Sequence, residues 1–145
     1  MARGDLTVFN EAKAKMLDGD WASTDNFYCM LITSAVVPSA STLTPVKSDF
    51  TEVTAGGNYS ANGVNLGALS ALVAESGGTM TFDSSTNPSW AQNASNPTNA
   101  AYAIIYNFTD AANDCVAFVD LAGPIDMTAG DLTLTWNASG IFTIA

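Results

Sequence analysis

Residues 101–145 read AYAIIYNFTDAANDCVAFVDLAGPIDMTAGDLTLTWNASGIFTIA, short apolar runs separated by turn clusters. Tyr102, Ile104, Tyr106 and Phe108 alternate with Ala103, Ile105 and Asn107. Side chains of a strand point to opposite faces with a period of two, so these aromatic and aliphatic residues share one face. The polar residues 109–114 fit a hairpin loop. Cys115, Ala117, Val119 and Leu121 line one face of a second strand, with Val116, Phe118 and Asp120 on the other. Ala122, Gly123 and Pro124 are expected to end it, because proline has no N–H for a ladder. Leu132, Leu134 and Trp136 alternate with Thr133 and Thr135, the pattern of an antiparallel strand with one wet face. A turn at residues 137–140 leads to a last strand at 141–144, expected to pair into a sheet.

Upstream of this stretch, residues 27–33 (FYCMLIT) are apolar on both faces, as in a central strand covered on both sides. Residues 34–47 hold Pro38, Pro45 and five Ser/Thr without periodicity, and read as a loop or an extended arm. Gly56, Gly57 and Asn58, then Asn62 and Gly63, are turn signals around Tyr59 and predict a tight hairpin. Residues 66–75 (LGALSALVAE) suit a helix by propensity, but their strand neighbours favour a strand. Met80 and Phe82 share a face of a strand over 79–83. The polar stretch 83–99 holds Pro88, Pro97 and a single aromatic, Trp90, expected to anchor either in its own core or in a partner.

Only residues 6–17 look helical. Asp5 is placed to cap them, and Phe9, Ala12 and Met16 fall on one face. Glu11 precedes Lys15 by four residues, a favourable pair, and Gly19 is a natural stop. A helix this short is marginal alone in water, so its apolar face must dock on its own sheet or on a neighbouring subunit. The chain thus divides into a helical segment, 1–20, and an all-β, antiparallel, jelly-roll-like β-sandwich, 21–145, large enough for a real core.

Charge narrows the function. The net charge is −10, and the basic residues are Arg3, Lys13, Lys15 and Lys47, so everything after Lys47 is acidic or neutral. The basic footprint of a nucleic-acid binder is missing, and an acidic body repels phosphate backbones and anionic lipid alike. No apolar run approaches the roughly twenty residues that span a bilayer. Cys29 and Cys115 sit inside apolar runs as small hydrophobes, and a disulfide stays open if their strands are neighbours. Arg3-Gly4-Asp5 matches an integrin-binding tripeptide, a pattern too short to carry weight.

Chemistry is scarce. With no histidine in the chain, a Ser-His-Asp triad is excluded, and two cysteines make no ordinary zinc site. Asp83, Asp110, Asp114, Asp126 and Asp131 could pair for glycoside hydrolysis or gather calcium, but they stand where aspartate favours turns. The Asn-X-Ser/Thr triplets at Asn58, Asn93, Asn107 and Asn137 have the form of glycan acceptors. The expectation is a chain with no catalytic residue, no cofactor and no metal.

The segments VFNEAKAKMLDGDW (8–21), DFTEV (49–53), GGNYSANGV (56–64), WAQNASNPTNAAYAIIYN (90–107) and GDLTLTWNASGIFTIA (130–145) resemble a family of small virion proteins of tailed bacteriophages. The resemblance implies a structural role in head or tail, most often as a decoration or cement protein. Such a protein is made in the host cytoplasm, binds the outside of the capsid and reinforces it. The implied partners are the major capsid protein and further copies of the chain, with a trimer favoured because capsid lattices offer three-fold positions. The family supplies no individual functional residue to carry over. On physical grounds the expected interface is the N-terminal helix, with Phe9 and Met16 as apolar contacts and Lys13 and Lys15 meeting acids of the partner. Tyr59 and Trp90 are further candidates. If these two aromatics are exposed on loops, the alternative is a tail-associated module that binds a host-surface carbohydrate.

Overall fold

In a computed structural model, residues 4–144 are described. The protein is all-β in its framework, antiparallel throughout and sandwich-like. The main sheet is formed by β1 (Leu6–Val8), β2 (Asn26–Ile32), β3 (Val64–Ala68), β7 (Ala100–Asn107) and β8 (Cys115–Ile125), in the order β1-β8-β7-β2-β3. A three-stranded sheet joins β4 (Val73–Ser76), β5 (Thr79–Phe82) and β10 (Phe142–Ile144), in the order β10-β5-β4. A two-residue pair, β6 (Ser89–Trp90) and β9 (Leu132–Thr133), completes the β structure. The helices are α1 (Asn10–Asp18) and the single turn α2 (Leu69–Leu72).

The apolar runs explain the centre. Residues 29–32 of β2 and 103–107 of β7 are buried on both faces, as are 115–119 of β8. One face carries Phe27, Cys29 and Leu31 and turns towards the small sheet, with Phe27 edge-on to Phe82 at 5.6 Å between ring centroids. The opposite face carries Met30, Ile104 and Phe118, cross-strand neighbours by register. Phe118 there meets Phe9 at 5.1 Å, and Phe9 meets Phe50 at 6.2 Å. The expected strand over 132–136 shrinks to Leu132–Thr133, but its alternation of burial extends further: Leu132 and Leu134 are buried, Thr133 and Thr135 exposed, and Trp136 half-buried.

Three local readings need correction. Leu6–Val8 is not the start of the helix but an edge strand paired with Ala117–Val119, and the helix begins at Asn10. Its N-cap is Phe9, with no side-chain cap, so Asp5 does not serve there, while Gly19 closes the helix in the left-handed region as expected. The boundary expected at residue 20 therefore separates no two bodies, since the main sheet runs across it. Pro124 does not end β8, which continues to Ile125. Ala122 and Gly123 have positive φ, and the pairing with β7 shifts register between Ala100 and Tyr102. A bulge of this kind absorbs a proline without ending the strand. Residues 66–75 form strand, helical turn and strand in succession.

Cys29 and Cys115 are free and buried. Their strands are separated by β7, so they lie two strand spacings apart, about 9.6 Å, beyond the roughly 7 Å limit for a disulfide. Burial pushes the Cys29 thiol up to about 12 and raises Cys115, Tyr59 and Tyr106 as well. The unfolded chain releases these protons near their ordinary values while the folded chain keeps them. Stability is therefore complete below about pH 9 and is lost as the pH rises above it, by about 1.4 kcal/mol per pH unit for each buried thiol. The expected results are a melting temperature that falls steeply above pH 9 and two thiols that resist a thiol reagent at pH 8 until denaturant is added. Rapid labelling of either thiol in the native protein would contradict this burial.

Candidate interaction surface

A polar cluster fills a gap in the main sheet. β3 pairs only with Asn26–Cys29, which leaves the next stretch of β2 without a full neighbour. Segment 51–53 bridges part of the gap, with the Val53 N–H donating to the Leu31 carbonyl at 3.1 Å. The Tyr59 hydroxyl fills the rest, accepting from the Leu31 N–H at 3.0 Å and donating to Glu52 Oε1 at 2.8 Å. The Asn62 N–H donates to the same carboxylate at 2.6 Å, and Lys47 Nζ stands 3.2 Å from its other oxygen. Lys47 also donates to Asn62 Oδ1 and lies over the Tyr106 ring. The Tyr106 hydroxyl donates to the Asn62 carbonyl at 3.1 Å. Burial is the main cause that raises both phenols, so they stay protonated donors. The cluster clamps segment 47–63 to the sheet.

A second cluster fixes α1. Lys15 Nζ meets Asp114 Oδ2 at 2.5 Å, and Trp21 Nε1 donates to the same oxygen at 3.4 Å. The hydrogen bond to Asp114 raises the Lys15 ammonium above its ordinary value. Asp114 therefore takes the place of Glu11 as the partner of Lys15, because it is nearly buried and anchored by the Asn107 N–H donating to its carbonyl. Three of the other aspartates singled out from the sequence stay in local turns or hold loops together. Asp126 Oδ1 accepts from the Thr128 N–H at 2.9 Å, Asp110 Oδ2 from the Ala112 N–H at 2.9 Å, and Asp131 Oδ1 from the Gln92 N–H at 2.6 Å. Among the described residues, no three of His, Cys, Asp or Glu gather as a metal site. Asn107, one of the triplet asparagines, is fully buried and donates to Asp25. Arg3 lies outside the described residues.

These positions revise the expected interface. Phe9 is 0 % exposed and belongs to the chain's own core, so it is not available to a partner. Tyr59 and Trp90 are each 2 % exposed and pack on one another at 5.9 Å. They are core anchors, and the carbohydrate reading loses the two aromatics it relied on. Lys15 is committed to Asp114, which leaves Lys13 as an exposed cation of the helix. Met16 is half-buried and borders a groove.

That groove is the surface feature the sequence did not reveal. It holds about 400 Å³ between the C-terminal end of α1 and the small sheet, with Trp21, Val73, Phe82 and Phe142 among its walls. Phe82 and Phe142 stack at 4.9 Å and 7°. Leu17, Met80 and Ile144 stand exposed on it. Its volume falls in the roughly 300–1,000 Å³ range of small-molecule sites, and its walls are mainly apolar, with Ser23, Ser70 and Thr81 supplying hydroxyls. The lining contains one charged side chain, Lys15, already paired. Comparison with protein-family models, curated proteins and solved structures returned no match. Among the described residues, no helix is long and apolar enough to cross a membrane. The groove escaped sequence reading because its walls come from α1, α2, β4, β5 and β10, whose adjacency only the fold creates.

Proposed function

We propose that this chain is a structural protein of a tailed-phage virion, a decoration protein that binds the outer capsid lattice and stabilises the head. The observation that carries this reading is the use of its polar groups. The ion pairs Lys15–Asp114 and Lys47–Glu52 hold the fold, while large apolar side chains such as Leu17, Leu43 and Val37 stand in solvent. Such a surface offers contact more than chemistry. The resemblance of residues 8–21, 90–107 and 130–145 to small virion proteins supports the same role. So does the acidic body, which avoids nonspecific adhesion to nucleic acid. The partners are the major capsid protein and other copies of the chain. Each contact can be modest, because many copies on a lattice multiply its effect.

The test mixes purified protein with capsids that lack it. The protein should co-sediment with the particles and raise their melting temperature, saturating at a fixed copy number. Protein that neither binds nor protects capsids would overturn the reading.

A further inference from the structure

Seven large hydrophobic residues are exposed among the described residues, and six of them fall in two places. Leu17, Met80 and Ile144 border the groove, and Val36, Val37 and Leu43 stand on loop 34–46. Leu43 is 84 % exposed and Val37 65 %. Scattered single apolar residues need no explanation, but two concentrations on one chain do.

The two features match in chemistry. The groove is mainly apolar, its one charged side chain, Lys15, being already paired, and residues 34–46 (SAVVPSASTLTPV) contain no charged side chain. On a chain of net charge −10, most pairs of surfaces repel, whereas this pair meets with no like charges opposed. The loop is also held in place. Pro38 and Pro45 are buried, the Ala40 carbonyl accepts from the Asn10 N–H at 2.9 Å, and the Pro45 carbonyl accepts from the Cys115 N–H at 2.8 Å. A loop ordered beforehand loses little entropy on docking. It adjoins the N-terminal end of α1, while the groove begins at Lys15, Met16 and Leu17 at the other end. No loop residue lines the groove of its own chain.

We propose that copies of this chain associate head to tail, the uncharged loop 34–46 of one copy seating Val37 and Leu43 in the apolar groove between α1 and the small sheet of the next. A contact between two different surfaces closes into a ring when the rotation between copies allows, and otherwise extends as a filament. The inference does not rest on the capsid reading, because the isolated chain displays it without particles.

The test uses two double variants of the full chain, L17D/M80D in the groove and V37D/L43D in the loop. Leu17, Val37 and Leu43 are mostly exposed, whereas Met80 is 41 % exposed and lies opposite Glu75, so circular dichroism of each variant should match the parent while the groove variant melts at a modestly lower temperature. Native mass spectrometry and sedimentation should show the parent assembled and each variant alone monomeric. Mixed, the two variants should form a one-to-one dimer and nothing larger, because one intact groove then meets one intact loop. A parent that stays monomeric at its solubility limit overturns the proposal. So does a loop variant that assembles like the parent, or a mixture that stays monomeric.

Discussion

Replacing Gly63 with alanine is expected to destabilise the fold by more than about 4 kcal/mol, which puts it in the rare class of severe single substitutions. Gly63 has φ of 78°, the left-handed region that side chains disfavour. That alone costs roughly 1–2 kcal/mol. The larger part is steric. A Cβ at this position overlaps the Cys29 carbonyl oxygen and comes within 2.7 Å of Met30 Cα, both backbone atoms of central strand β2. β2 is hydrogen-bonded on its other side to β7 along its whole length from Phe27 to Ile32, so it has nowhere to move. Gly78 is the control. It shares a positive φ, 83°, but a Cβ there meets nothing within 4 Å. Gly78→Ala should therefore cost only the backbone part, roughly 1–2 kcal/mol. Urea unfolding of the two variants checks this difference, and equal stability would refute the close approach of residue 63 to β2.

Trp90→Ala should cost about 3–5 kcal/mol, the range for deleting a large buried aromatic. Trp90 is 2 % exposed, packs on Tyr59 at 5.9 Å and sits in a strand pair with Leu132. Its loss also unseats Tyr59, whose hydroxyl completes the hydrogen bonding of Leu31. For a chain of this length the expected fall in melting temperature is on the order of 10 °C. A host-surface binding module using Trp90 would behave oppositely, losing carbohydrate binding at unchanged stability. One melting curve thus separates the two roles for this residue.

Much of the sheet was legible because burial leaves a period in the sequence. The doubly apolar run 27–33 became β2, with ladder partners on both sides, and the alternation over 132–136 set which residues face inward. Short or composite elements left no such trace. Leu6–Val8 is three residues of edge strand running straight into a helix, and its Leu and Val extend the helical apolar pattern just as well. β6 is two residues long, too short for any period, so Trp90 could be read as an anchor but not assigned its partner. The clamp of Lys47, Glu52, Tyr59, Asn62 and Tyr106 joins positions up to 59 residues apart in sequence (Lys47 to Tyr106), where local pattern carries no information. The groove is legible still less, since Met80 and Ile144 look like ordinary strand residues until β5 and β10 pair beside α1.

The most direct measurement of the central claim is a cryo-EM reconstruction of virus particles purified from cells that express this chain from its own genome. The decoration reading predicts density for this β-rich domain on the outer face of the head, repeated at equivalent lattice positions. Density for the domain on the tail alone, or its absence from the particle, would contradict it.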